Sequence, residues 1–212
     1  MKNLLVVVSV LVMASSVSGV IISADADGYT EGTNISTAFA GLTLSSIGRS
    51  SGLDGFVYAY DDELASTGTS VFGHNLANHR EWYRDDYPEP HHPDDFAFRA
   101  DFDNPAKMVT IDIICDSSDD YAILTVYDSS GVSLGGTFSG PLMTPGQVFR
   151  TTINRDSFDI AYIIAGGIFT NSATPVYLDN LTANVIPEPA TVFLLGLRRP
   201  GLAQETQIIE KL

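Results

Sequence analysis

The chain has 212 residues, 44% of them hydrophobic and 10% aromatic, enough apolar mass for one ordinary domain with a real core. Eleven basic residues stand against 26 acidic ones, a formal charge of -15, which excludes nucleic acid as a partner and disfavours docking on anionic lipid. The single cysteine, Cys115, excludes an internal disulfide, so stability must come from the core.

Residues 1–19 read as a secretory signal. Lys2 supplies the positive start, Leu4 to Ala14 a short apolar run, and Ala14 to Gly19 small residues for cleavage. The run is too short to span a bilayer comfortably. The domain proper is expected from residue 20 to residue 185, in an oxidising, calcium-replete compartment.

Ala24–Ser46 opens with an acidic loop containing Asp25, Asp27 and Glu31, then alternates around Phe39, Leu42 and Leu44. Short strands follow within Asp54–Asp61 and Ser70–Gly73. Residues 74–95, NLANHREWYRDDYPEPHHPDD with His74 before it, are polar, aromatic and proline-rich, and read as a long loop between strands. Phe96, Phe98, Ala100 and Phe102 then alternate as a strand, and Asp103-Asn104-Pro105 is expected to turn.

Lys107 to Gly136 carries the strongest strand signal. Val109, Ile111, Ile113 and Cys115 fall on one face, with Thr110 and Asp112 on the other. Ala122, Leu124 and Val126 alternate with Tyr121, Ile123, Thr125 and Tyr127. Period-two alternation in β-branched and aromatic residues predicts strands. The polar turns Asp116–Asp120 and Asp128–Gly131 predict an antiparallel meander of three consecutive strands. Further strands are expected over Val148–Ile153, Phe158–Ala165 and Val176–Val185. No segment shows helical periodicity beyond two turns. The fold class is therefore all-β: an antiparallel two-sheet β-sandwich, jelly-roll-like rather than immunoglobulin-like.

Gly131-Val-Ser-Leu-Gly135 matches the nucleophile-elbow pattern, but GTFSGPLMTPG follows where a helix is required, and no histidine follows His92. It reads as a hairpin turn. His74, His79, His91 and His92 lack a metal-binding spacing and read as part of a solvated loop. No acid–base pair is selected by spacing, so the chain reads as no enzyme. Calcium, which takes carboxylate and carbonyl oxygens from loops, fits better than a transition metal, with Asp25, Asp27, Glu31 and Asp179 as its ligands; the alternative is that these acids form turns and solvate the start of the domain. That set assumes that the first and last strands lie close. Asp116, Asp119 and Asp120 form a weaker acidic group. For a sugar, Trp82, Tyr83 and Tyr87 would stack on ring faces while Arg84, with Arg80, bonds hydroxyls; the equal alternative is that Trp82 folds back as a lid on one end of the core.

Residues 186–199 close the domain with Pro187-Glu188-Pro189, the apolar run Ala190 to Leu197, and Arg198-Arg199. This resembles the PEP-CTERM sorting signal of exported bacterial proteins, in which the tripeptide is read by a membrane-embedded exosortase. The body, in ADADGYTEGT…AFAGLTLS, AILTVYDSSGVSLGG and VYLDNLTANVIPEP, is similar to domains that precede such tails. The resemblance implies an extracellular, galactose-binding-like jelly-roll sandwich and an exosortase-type partner. The apolar run is far shorter than the ~20 residues a spanning helix needs, and residues 200–212 form a polar tail, so no stable transmembrane anchor is evident. The expected role is a non-enzymatic exported protein of the cell surface or extracellular matrix. The alternative is an extracellular, lectin-like carbohydrate-binding module, calcium-dependent or not, with polysaccharide as its partner.

Overall fold

A computed structural model describes residues 18–77, 79–84, 95–117, 120–141, 144–168 and 175–187. Among them the regular elements are all strands: β1 (Val20–Ala24), β2 (Leu42–Ile47), β3 (Tyr58–Asp61), β4 (Ser70–Gly73), β5 (Tyr83–Arg84), β6 (Ala97–Cys115), β7 (Ala122–Tyr127), β8 (Ser133–Phe138), β9 (Val148–Asn154), β10 (Ile160–Ile168) and β11 (Val176–Val185). The fold is an antiparallel β-sandwich of the jelly-roll kind. The two-residue β5, parallel to β10, is the exception to the antiparallel pairing.

The sandwich is organised by β6, which is 19 residues long. Its first half carries β2 and β10, giving a front sheet ordered β2-β6-β10-β7-β8. Its second half carries β9 and β11, giving a back sheet ordered β9-β6-β11-β4-β3, with β1 also on β11. Core residues of β6 are Phe98, Ala100, Phe102 and Ala106 in the first half, then Val109, Ile111, Ile113 and Cys115 in the second. The inward face thus changes from even to odd positions between the halves. Register shifts opposite this stretch accommodate the change: β6 runs from Ala106 to Asp101 against Ile160–Tyr162, and from Met108 to Ala106 against Asn184–Val185.

Two sequence expectations are corrected here. Asp103-Asn104-Pro105 is not a turn: the chain stays extended through it. Pro105 lacks an N–H, but it stands where β6 passes from one sheet to the other, and its carbonyl accepts from the Ile186 amide at 3.1 Å. The meander is likewise incomplete. β7 and β8 form the predicted hairpin, with the Gly131 amide donating to the Asp128 carbonyl at 3.1 Å, but β6 and β7 are not partners, because β10 lies between them. Alternation fixes which face a strand buries and leaves its neighbour open.

Within the expected long loop, the described residues His74, Trp82, Tyr83 and Arg84 are buried against the sheets and are not solvated. β5 lies within them and Trp82 bridges to Val176. His74 is fully buried between the rings of Trp82 and Phe96, at centroid distances of 5.1 and 4.7 Å. Its Nδ1 accepts from the Leu76 amide at 3.2 Å, and its Nε2 lies 2.7 Å from the Glu81 carbonyl, which fixes the neutral Nε2–H tautomer. Burial pushes its pKa down to about 4. Cys115 lies in the core as expected, and burial, helped by Asp120, pushes its thiol up to about 11, so it is inert at neutral pH.

Candidate functional site

The outer face of the front sheet gathers the aromatic and charged side chains best placed to meet a ligand. The alternation that buries Leu44, Phe98, Ala100, Leu124, Val126, Ile163 and Ala165 turns their neighbours outward. Register then aligns Thr43, Asp101, Tyr162, Tyr127 and Ser133 in one row, and Ser45, Arg99, Ile164, Thr125 and Gly136 in the next. The Tyr127 and Tyr162 rings stack at 4.8 Å and 8°. The Arg99 guanidinium lies 3.9 Å from the Tyr162 ring centroid. Asp101 holds that guanidinium through both oxygens, accepting from Nε at 2.8 Å and Nη2 at 2.5 Å. The hydrogen bond from Asp101 raises the Arg99 pKa, so the cation is permanent. Three side chains are thereby fixed in a stack before any ligand arrives.

Beside the stack is a cavity of about 140 Å³ lined by Ile47, Gly48, Arg84, Asp95, Ala97, Tyr127 and Ile164. Arg84 comes from β5 and is 3% exposed. Its Nη1 donates to the Ile164 carbonyl at 2.9 Å and to Thr125 Oγ1 at 3.2 Å. Gly166 makes room for its stem, since a Cβ there would lie 3.0 Å from Arg84 Cγ. Asp95 is 3.6 Å from Arg49 Nε. The site therefore joins aromatic faces to hydrogen-bonding groups of both charges.

Of the described residues expected to hold a sugar, Arg84 alone lines this cavity. Trp82 is fully buried; its Nε1 donates to the Phe72 carbonyl at 2.8 Å and its ring meets Phe98 edge-on at 5.4 Å. Tyr83 is 2% exposed, its ring against Phe96. Neither presents a face to solvent, which corrects the sequence expectation: the polar residues around them mark a surface strand whose aromatics point in. Arg80 bonds Glu31 at 3.2 Å instead. Tyr87 lies outside the described residues. Tyr127, Tyr162, Arg99 and Asp101 carried a sequence signal only as outward positions of alternating strands; their convergence follows from β10 standing between β6 and β7.

Of the four acidic residues expected to hold calcium, Asp25 and Asp179 come together at the back sheet through Thr67, and Asp27 and Glu31 do not join them. β1 pairs with β11, Ala24 opposite Leu181, so the first and last strands do lie together. Thr67 Oγ1 lies 3.2 Å from Asp25 Oδ2 and 3.3 Å from Asp179 Oδ2. Asp179 Oδ2 also accepts from the Ser66 and Thr67 amides, at 3.0 and 3.1 Å. Asp27 instead caps the Thr69 and Ser70 amides at 2.8 and 3.0 Å, and Glu31 turns to Arg80. Among the described residues, no three His, Cys, Asp or Glu side chains converge where a metal ion could be held. Protein donors occupy these oxygens. Burial raises the Asp179 pKa, only partly offset by its Ser66 and Thr67 bonds. Burial acts on Asp112 in the same direction, but the two-pronged bond from Arg150, with Ser66 and Asn180, outweighs it and lowers the Asp112 pKa.

Pro187 is buried at the end of the domain. Glu188, Pro189, Arg198 and Arg199 of the sorting motif lie outside the described residues, as do residues 1–17, Asp119, His91 and His92. No helix among the described residues is long and apolar enough to cross a membrane.

No protein-family model matches the chain, and no curated protein does. Among solved structures it is similar to the K2 cleaved adhesin domain of Lys-gingipain, at 10% identity and a TM-score of 0.44, over 78% of this chain and 98% of that one. The C-terminal family 22 carbohydrate binding module of Clostridium thermocellum Xyn10B aligns at 12% identity and a TM-score of 0.40, over 77% and 98%. The enzymatically active domain of bacteriophage CBA120 tailspike protein 4 aligns at 10% identity and 0.42, over 74% of this chain and 21% of that one. Family 29 carbohydrate binding modules recur among the others. Likenesses this remote carry no argument about ligand or chemistry, which rest on the site itself.

Proposed function

We propose that the chain is a non-catalytic carbohydrate-binding protein of the cell surface or extracellular matrix, holding its glycan on the outer face of the front sheet. The observation that carries this reading is the Arg99–Tyr162–Tyr127 stack beside the cavity of Arg84 and Asp95. A sugar ring has apolar C–H faces and a hydroxyl rim. It suits a site in which an aromatic surface adjoins donors and acceptors set at fixed positions. Asp101 locks the stack in place, so little side-chain freedom is lost on binding. The carboxylates at the stack and at the cavity are each near an arginine, Asp101 with Arg99 and Asp95 with Arg49, which supports binding over acid–base chemistry. The signal-like residues 1–19 and the PEP-type residues 186–199 support export and an exosortase-type sorting partner.

The test is a glycan and polysaccharide array on the folded protein, run with calcium and with chelator. Saturable binding to a defined glycan, lost in Tyr127→Ala and Tyr162→Ala, is expected. The calcium arm tests the expectation placed on Asp25, Asp27, Glu31 and Asp179. Binding unchanged in both tyrosine variants would overturn the site, and no binding by folded protein would overturn the function.

A further inference from the structure

Resting on that reading, we infer that the ligand is a linear oligosaccharide stretch of several rings lying along β7 and β8, and not a single sugar. Phe138, at 64% exposure, is more open to solvent than the other exposed large apolar side chains of the described chain. It pairs in register with Ile123 and, like Ile123, lies outside the core cluster, so it stands on the outward face of the front sheet. Tyr127 is on the same face of the same hairpin, four residues from Ile123, about 13 Å along an extended strand. One sugar ring cannot touch both aromatics.

The ground between them fits a chain crossing it. Thr125 faces Gly136 there, and a Cβ on Gly136 would lie 3.0 Å from the Leu124 carbonyl oxygen and 3.3 Å from Thr125 Oγ1. On the β8 side the floor is the exposed backbone of Gly136; on the β7 side Thr125 is buried, its hydroxyl 3.2 Å from the Arg84 guanidinium, so the open path runs over β8. An apolar platform, a low polar floor and a second apolar platform follow in line. An exposed phenylalanine at a strand end is otherwise unfavourable, and it contributes nothing to the core.

The experiment is calorimetric titration of the full chain with cello-, xylo- and manno-oligosaccharide series, each from a single sugar to a hexamer. In the series that binds, affinity is expected to rise about tenfold, the scale of one added aromatic contact, once the oligomer spans both platforms, and then to level. Phe138→Ala, an exposed change that leaves the fold intact, is expected to remove that rise and leave the shortest binding oligomer unaffected. Affinity independent of length, or an equal loss at every length in Phe138→Ala, overturns the inference. If such length-independent binding is still abolished by Tyr127→Ala, the proposed function stands without it. No binding of any series by the folded wild type overturns both.

Discussion

Asp112 and Asp179 are register partners on adjacent strands, both fully buried, and they share one hydroxyl: Ser66 Oγ lies 2.8 Å from an oxygen of each. A serine hydroxyl has one proton to give. Arg150 holds the Asp112 pKa down and burial raises that of Asp179, so the two carboxyls compete unequally for that proton, while the Ser66 and Thr67 amides donate to Asp179 in either case. The Ser66–Thr67 segment, between β3 and β4, is latched across the back sheet by this arrangement.

Asp112→Asn is expected to destabilise by about 2 kcal/mol through loss of charge-assisted bonds, and Asp179→Asn to destabilise as well, because its amide nitrogen must face the Ser66 and Thr67 amides or that of Asn180. Because the folded pKa of Asp179 is raised, the folded state binds more protons than the unfolded one above the ordinary carboxylate range, and stability falls as pH rises there. Asp179→Asn should remove that part of the slope. Urea unfolding from acid to mildly alkaline pH measures it; a variant as pH-sensitive as the wild type would refute the assignment.

His74 gives the opposite slope. Unfolded, it titrates near 6.5; folded, near 4. Between those values the unfolded chain takes up a proton that the folded one refuses, so stability falls as pH drops, by about 3 kcal/mol in total. His74→Gln, uncharged throughout, should unfold with a visibly flatter pH dependence below neutrality. The wild type and the variant are compared by thermal melts at matched pH.

Trp82→Phe removes the donor to the Phe72 carbonyl and leaves that buried oxygen unpaired. A loss of about 1–3 kcal/mol is expected in chemical denaturation. Glycan affinity measured on the folded variant should not change, since the indole is inside. A selective loss of binding with stability unaltered would return Trp82 to the candidate site.

Gly48→Ala should damage both fold and cavity. The residue has φ 152°, and a Cβ would sit 1.8 Å from the Asp95 carbonyl oxygen. Backbone, not a movable side chain, stands in the way, so a loss of about 2 kcal/mol is expected. Asp95 would be displaced with it. Denaturation together with binding to the glycan found on the array would show both effects, and a variant equal to the wild type in both would contradict the geometry.

The face that each strand buries was legible in the sequence wherever alternation was clean. The expected strand Val176–Val185 is β11 to the residue, and Cys115 points inward as its parity requires. β1 escaped, because its residues Val20–Ala24 follow a signal-like segment and are mostly exposed. Continuity through Pro105 escaped because proline and asparagine ordinarily turn a chain, and only the passage between two sheets makes them tolerable there. The candidate site was the least legible part. Its aromatics are 35 residues apart in sequence at Tyr127 and Tyr162, and the strand order that stacks them is a property of the whole sheet. Trp82 misled for a local reason: Arg80, Glu81 and Arg84 surround it with charge, while its own backbone is bridged to β11.

Val20 and Val185, the outer ends of the β1–β11 ladder, are paired with one another. The chain thus enters and leaves the domain at one corner, and the direction of a mechanical load decides how the domain resists it. Tension between the two ends peels the ladder one residue pair at a time from that corner. Tension between a glycan on the front sheet and the Val185 end instead runs lengthwise along β11, which is hydrogen-bonded to β6 on one side and to β1 and β4 on the other. Many bonds must then shear together, so a domain held by that end would grip a pulled ligand far more stiffly than its separated ends would suggest.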